Sequence, residues 1–359
     1  MPTSVFASLL IAFVAAAGAV PLLRDLLRGK ASVRSAGGAA VSLGVLVAAF
    51  YSDPWPASDH GLVFGAAALI GVGLWLDHRN ALATARGRRL FDVAGTVVAA
   101  IFLFAYLDPG YVTWSVGFIM LVAACLLLPI ATSALDRLPT ANPALPAAMV
   151  LVQLLLLIAF GAAHADGGGR YSLYAEFAIV ALPVMGALLG CLVYLLSMPW
   201  RPQAGIAMGA GGLLALGFVV AWGILRLGSI TAEVRGGTTA LLWLVAVPLF
   251  EFVREVLARL ADALSRTALL NRARGLRRVL QAIRAAQYSP LALVLAQALL
   301  GAVGLGLCVL DTSGYLLTLA LLGVAGVYMV LPVLVSAASQ ASNNRLIQGL
   351  FPRHGSDRA

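Results

Sequence analysis

The sequence predicts an all-α, polytopic integral membrane protein with about eleven transmembrane helices, its N-terminus outside and its C-terminus cytoplasmic. Two observations carry that expectation. Of 359 residues, 61% are hydrophobic and only 11% are charged, with a mean hydropathy of +0.96. Soluble domains carry roughly a quarter charged residues. The second observation is where the cations fall. If each apolar run crosses once, 21 of the 24 Lys and Arg residues lie on one side, and only Arg170, Arg226 and Arg235 lie on the other. Such a bias sets membrane orientation, and a wrong span count would scramble it.

A spanning helix needs about 20 apolar residues. The runs that qualify are 4–23, 37–51, 61–76, 90–107, 112–130, 145–163, 177–197, 204–226, 237–257, 290–310 and 314–337. The second and third are short and imply tilt or local thinning of the bilayer. The first has no basic stretch before it and reads as a retained helix, not a cleaved signal. A single membrane domain, 1–337, holds all eleven spans, with a long basic cytoplasmic segment at 251–289 and a polar tail at 338–359.

The net charge of +9 does not point to nucleic acid, because the basic residues sit in short loops beside apolar spans. Cys125, Cys191 and Cys308 fall inside spans and read as small buried residues, with no disulfide framework or metal spacing. No fixed-period repeat is visible. Nor are inverted halves with paired broken helices, which weakens a transporter reading. Gln153 and Gln297 are the main polar residues within spans, and lone glutamines commonly bond a neighbouring helix.

Four stretches on the basic side carry candidate chemistry. Met208-Gly209-Ala210-Gly211-Gly212 opens the eighth span; Gly209, Gly211 and Gly212 would admit either a phosphate or a second backbone. Leu76-Asp77-His78-Arg79-Asn80 closes the third span, and Arg88, Arg89 and Asp92 open the fourth. Acids and arginines together there suit Mg²⁺ and phosphate, or simply anchor helix ends. The loop Ser133–Leu145 carries Asp136 and Arg137. The segment Phe250–Ser289 begins with Glu251 and a basic amphipathic helix holding Arg254, Glu255, Arg259 and Asp262. It continues through Arg274, Arg277 and Arg278, which suit phosphate or anionic lipid headgroups.

In their order and spacing these stretches resemble the bacterial polyprenyl-phosphate sugar-1-phosphate transferases, the superfamily of the WecA and MraY enzymes. The run Met185–Trp222 matches the family's G-A-L-L-G-F-L-x-x-N-x-x-P followed by M-G-D-A-G-S. Arg34-Ser35-Ala36-Gly37-Gly38-Ala39 resembles its P-x-x-G-G. Asp77 and Arg79 match the first acid and the arginine of L-D-D-R. The resemblance implies binding of a polyprenyl phosphate and a UDP-sugar, phosphate contacts from Arg79, Arg274, Arg277, Arg278 and the glycines, and Mg²⁺ if the protein is active. It also makes a homodimer and contacts with envelope-glycan assembly proteins plausible, in a bacterial inner membrane.

The polar motifs depart from the family. The second acid falls on His78, the two acids of the T-N-A-x-N-x-x-D-G-x-D-G-L run fall on Thr140 and Pro143, and the acid of M-G-D falls on Ala210. Asp77 alone remains in register as a catalytic candidate. No histidine survives in the stretch matching D-x-x-H-L-H-H-R-L. Metal-assisted phosphoryl transfer rests on positioning and charge neutralisation, and losing one preorganised electrostatic group costs roughly 10²–10³ in rate. The first expectation is therefore a catalytically silent relative that binds the lipid carrier or serves as a scaffold. A second is an active transferase whose site is rebuilt from Asp77, Asp92, Asp136 and Glu251. A third is a lipid or small-solute transporter.

Overall fold

The computed structural model describes residues 3–26, 36–51, 60–78, 84–105, 116–137, 142–164, 169–196, 206–231, 234, 236–265 and 289–331. Within them the chain is helical: α1 (Thr3–Leu26), α2 (Ala36–Tyr51), α3 (His60–His78), α4 (Ala85–Ala105), α5 (Val116–Leu135), α6 (Leu145–Ala163), α7 (Gly169–Leu195), α8 (Gly209–Ile230), α9 (Gly237–Trp243), α10 (Ala246–Ser265) and α11 (Pro290–Val309). A further helix, α12, covers Gly314–Leu331. Seven of these, α1, α5, α6, α7, α8, α11 and α12, are long and apolar enough to cross a membrane, and α2 and α3 are shorter apolar helices. The expected all-helical membrane architecture is what the chain adopts.

Helix α8 is the axis of the bundle. Of its Gly209–Gly228 stretch 94% is buried, and α2, α3, α4, α5, α6, α7 and α9 all pack on it. Its sequence explains the position. Gly211, Gly212 and Gly217 let neighbouring backbones close in, as small residues do where no hydrophobic effect drives helices together. A Cβ on Gly217 would lie 2.6 Å from Pro129 Cα. Phe218 and Trp222, both fully buried, fill the spaces between. Helices α1 and α7 pair the same way, with Gly190 against the Phe13 carbonyl.

The outer helices leave apolar residues exposed, among them Phe6, Phe64, Ile101, Leu299 and Leu322. That surface suits lipid. Helix α11 opens with Ser289 as its N-cap, whose Oγ accepts from the Ala292 N–H at 3.1 Å, and Pro290 follows in the first turn. This is the ordinary N-terminal signature.

The ninth expected span, 237–257, departs from a continuous helix. It is interrupted at Leu244–Val245, where i→i−3 bonds to Leu241 and Leu242 replace the α ladder. Pro248 supplies the cause, because it has no N–H for the Leu244 carbonyl. The fully buried Gln297 of α11 repairs the gap. Its Nε2 donates to the Leu244 carbonyl at 2.8 Å and the Trp243 carbonyl at 3.3 Å, and its Oε1 accepts from the Val247 N–H at 3.0 Å. A broken helix is thus present in the bundle, although the sequence shows no inverted halves with paired broken helices.

Candidate functional site: a charged network at the basic end

Among the described residues, Arg88, Arg137, Arg254 and Arg259 gather at one end of the bundle. There α4 begins, α5 ends and the second half of α10 passes. Thr84 caps α4, its Oγ1 accepting from the Gly87 N–H at 3.0 Å. The first turns of α4 then carry Arg86, Arg88 and Arg89 and no acid in the first turn. Cations at a helix N-terminus oppose its dipole, so α4 needs compensation from outside itself.

The compensation comes from α5 and α10. Arg88 pairs with Asp136 at 2.7 Å. One turn deeper, Asp92 is almost completely buried. Its Oδ1 accepts from the Ser133 hydroxyl at 2.9 Å, and its carboxylate pairs with Arg137. Arg137 also approaches Glu255 of α10 at 3.7 Å, and Glu255 pairs with Arg259 on its own helix. Further along, the buried Glu251 accepts from Arg254 Nε at 3.0 Å and from the Tyr328 hydroxyl of α12. Burial lowers the Arg137 guanidinium to about 10, with Glu255 pulling it up and Arg88, Arg259 and Arg89 pushing it down. It stays charged at neutral pH.

Chemically this is a set of closed ion pairs. Asp92, Asp136, Glu251 and Glu255 each hold an arginine. Mg²⁺ binds through one or two free carboxylates plus waters and phosphates, and here the carboxylates face guanidinium groups instead. No three Asp, Glu, His or Cys side chains converge among the described residues. The described carboxylates therefore offer no free donor set for a magnesium ion. Of the four acids expected in a rebuilt site, Asp92 and Asp136 join one network, Glu251 turns toward Arg254 and Tyr328, and the Asp77 side chain lies outside the described residues.

The glycines expected to cradle phosphate have other neighbours. A Cβ on Gly211 would lie 2.5 Å from the Leu69 carbonyl, and one on Gly212 would lie 2.8 Å from Gly38 Cα. The Gly37 and Gly38 N–H groups donate to the Ala207 and Met208 carbonyls at 3.0 and 3.2 Å. Gly211 and Gly212 thus serve helix packing, the alternative the sequence left open. Gly209 takes a positive φ of 71° at the entrance to α8, the region glycine favours. Asp77 is the penultimate residue of α3, and its side chain lies outside the described residues, as do Arg79, Arg274, Arg277 and Arg278.

Sequence reading missed Arg137, Ser133 and Tyr328 as partners of buried acids. At the opposite end, Arg226 pairs with Glu176. Nearby, His164 Nδ1 bonds the Phe160 carbonyl at 2.9 Å, and its Nε2 lies 3.6 Å from Cys308 Sγ. Neither a known family model nor a curated protein sequence matches the chain.

Proposed function

We propose that this protein is a catalytically silent relative of the polyprenyl-phosphate sugar-1-phosphate transferases, acting as a lipid-carrier-binding or scaffold component of envelope-glycan assembly. In this reading the chain crosses a bacterial inner membrane eleven times, α9 and α10 forming one interrupted crossing. The basic end faces the cytoplasm, as the cation bias requires. The observation that carries the reading is the pairing of Asp92 with Arg137 and of Asp136 with Arg88. Each of these carboxylates at the basic end is neutralised from within the chain and so offers no free charge to a metal, which is what a silent relative would show. The apolar frame and the glycine packing around α8 support retention of the family's architecture.

The test is a pair of measurements on purified full-length protein in detergent. Thermal unfolding is followed with polyprenyl phosphate and with a UDP-N-acetylhexosamine, each with and without Mg²⁺. A ligand that binds only the folded state raises its apparent stability. The expected result is stabilisation by the lipid phosphate, indifferent to Mg²⁺. Mg²⁺-dependent transfer of sugar phosphate to the carrier would overturn silence and establish an active transferase. No stabilisation by the lipid phosphate would remove the carrier-binding role.

A further inference from the structure

Helix α4 has two unlike faces. On one, Phe91, Asp92, Gly95 and Ala99 are buried. Asp92 reaches Ser133 of α5, and a Cβ on Gly95 would stand 2.6 Å from Leu214 of α8. On the other, Arg86, Arg89, Leu90, Val93, Val97 and Ile101 are exposed. Steps of three and four residues put these six on one side of the helix. The exposed face is thus an apolar stripe with two arginines at its head.

The head has no acid of its own. In the network beside it, Asp136 and Asp92 are taken by Arg88 and Arg137, and Glu251 and Glu255 by Arg254 and Arg259. Arg86 and Arg89 make no ion pair among the described residues. Both lie in the first turns of α4, where the helix dipole adds to their positive potential instead of offsetting it. Three residues apart on a helix, their Cβ atoms are about 5–6 Å from each other, close enough for both side chains to reach one phosphate. A guanidinium suits that group, since its planar fork matches two phosphate oxygens.

Length sets the depth of the head. From Leu90 to Ile101 the stripe runs about 17 Å at 1.5 Å rise per residue. One leaflet contributes half of a hydrocarbon core about 30 Å thick. A stripe of that length fills one leaflet, and Arg86 and Arg89 then stand at the level of the lipid phosphates. A second copy of the chain is a poor occupant. A twofold contact through this face, with both copies upright in one membrane, sets each arginine pair against its own copy. We propose that the exposed face of α4 retains an anionic glycerophospholipid, with its phosphate on Arg86 and Arg89 and an acyl chain along Leu90, Val93, Val97 and Ile101. The stripe accepts any apolar chain, so the arginines make the selection. This inference stands apart from the transferase reading, because it requires no lipid carrier, sugar nucleotide or metal.

The experiment uses full-length protein, stripped of lipid in detergent and offered dioleoyl phosphatidylglycerol or dioleoyl phosphatidylcholine. Native mass spectrometry counts the lipids retained, and thermal unfolding reports stabilisation. Arg86→Gln and Arg89→Gln are made singly and together. Arg24→Gln, at an exposed cation in the last turn of α1, removes the same charge from another helix and is the control. The expected result is one phosphatidylglycerol fewer on R86Q/R89Q than on the wild type and R24Q, with equal counts of phosphatidylcholine on all of them. Each single substitution should weaken retention of that lipid about fivefold, the effect of one basic residue at an anionic surface. The single variants carry the test should the double variant fail to fold. Equal phosphatidylglycerol counts on the wild type and the α4 variants overturn the site. An equal loss from R24Q overturns its assignment to α4, because net charge alone would then explain retention. Preferential retention of polyprenyl phosphate over equimolar phosphatidylglycerol, abolished in R86Q/R89Q, would give the face to an isoprenoid carrier and overturn the phospholipid.

Discussion

Gln297 donates to the carbonyl of Leu244 at 2.8 Å, filling the place of an N–H that Pro248 lacks. The same amide accepts from Val247 and reaches Trp243. One side chain of α11 thus satisfies the backbone on both sides of the α9–α10 interruption. Backbone groups inside a membrane must be satisfied by protein, and broken helices survive only where neighbours do so. The direction of α10, and with it the placement of Glu251 and Glu255, rests on this contact.

Replacing Gln297 with Leu should therefore destabilise the protein although it adds an apolar residue to an apolar helix. The variant strands two carbonyls and one N–H in a buried position, and each stranded group costs about 1–3 kcal/mol. Relaxation of α10 will recover part of that. The expected net loss is about 1–3 kcal/mol, read from thermal or denaturant unfolding in a defined detergent. An unchanged midpoint would mean that the break is held elsewhere. Gln297→Glu should also lose stability, because it keeps an acceptor for Val247 but removes both donations.

The interruption also shows what a linear reading resolves. Apolar runs and the side on which arginines collect are local properties of the chain, so the bundle and its basic end were legible. The run Leu241-Leu242-Trp243-Leu244-Val245-Ala246-Val247 has uniform hydropathy and gives no sign of a turn. Pro248 was the visible signal, but its consequence depends on Gln297, 49 residues later. Asp92 and Arg137 present the same difficulty, since their pairing follows only from how α4 meets α5. The glycines were legible as close-approach positions; that helices rather than a phosphate approach Gly211 and Gly212 is a tertiary fact.

The buried Asp92–Arg137 pair should be strongly non-additive. Removing one partner leaves a charge buried without compensation and costs about 3–5 kcal/mol, whereas removing both can be nearly neutral. Asp92→Leu and Arg137→Met should each lower stability markedly, and the double variant should be more stable than either single one. A double-mutant cycle on unfolding in detergent measures the coupling. Additive effects would show that the two groups do not depend on each other. Ser133→Ala should cost less, about 1.5–3 kcal/mol, because it removes one hydrogen bond to a charged group.

Two glycines on α3 give a sharper test of the packing around α8, because they differ by two positions and by everything a methyl group would meet. A Cβ on Gly73 would stand 2.5 Å from Gly211 Cα, while one on Gly71 meets nothing within 4 Å. Gly73→Ala must push α3 off the α8 backbone, an overpacking cost of about 1–3 kcal/mol. Gly71→Ala gains helix propensity without a clash, up to about 1 kcal/mol for an exposed helical position. The two alanines should therefore move the unfolding midpoint in opposite directions, G73A down and G71A unchanged or up. The comparison controls for the added methyl, the helix and the lipid environment at once. If G73A were as stable as G71A, α3 would not be seated on Gly211.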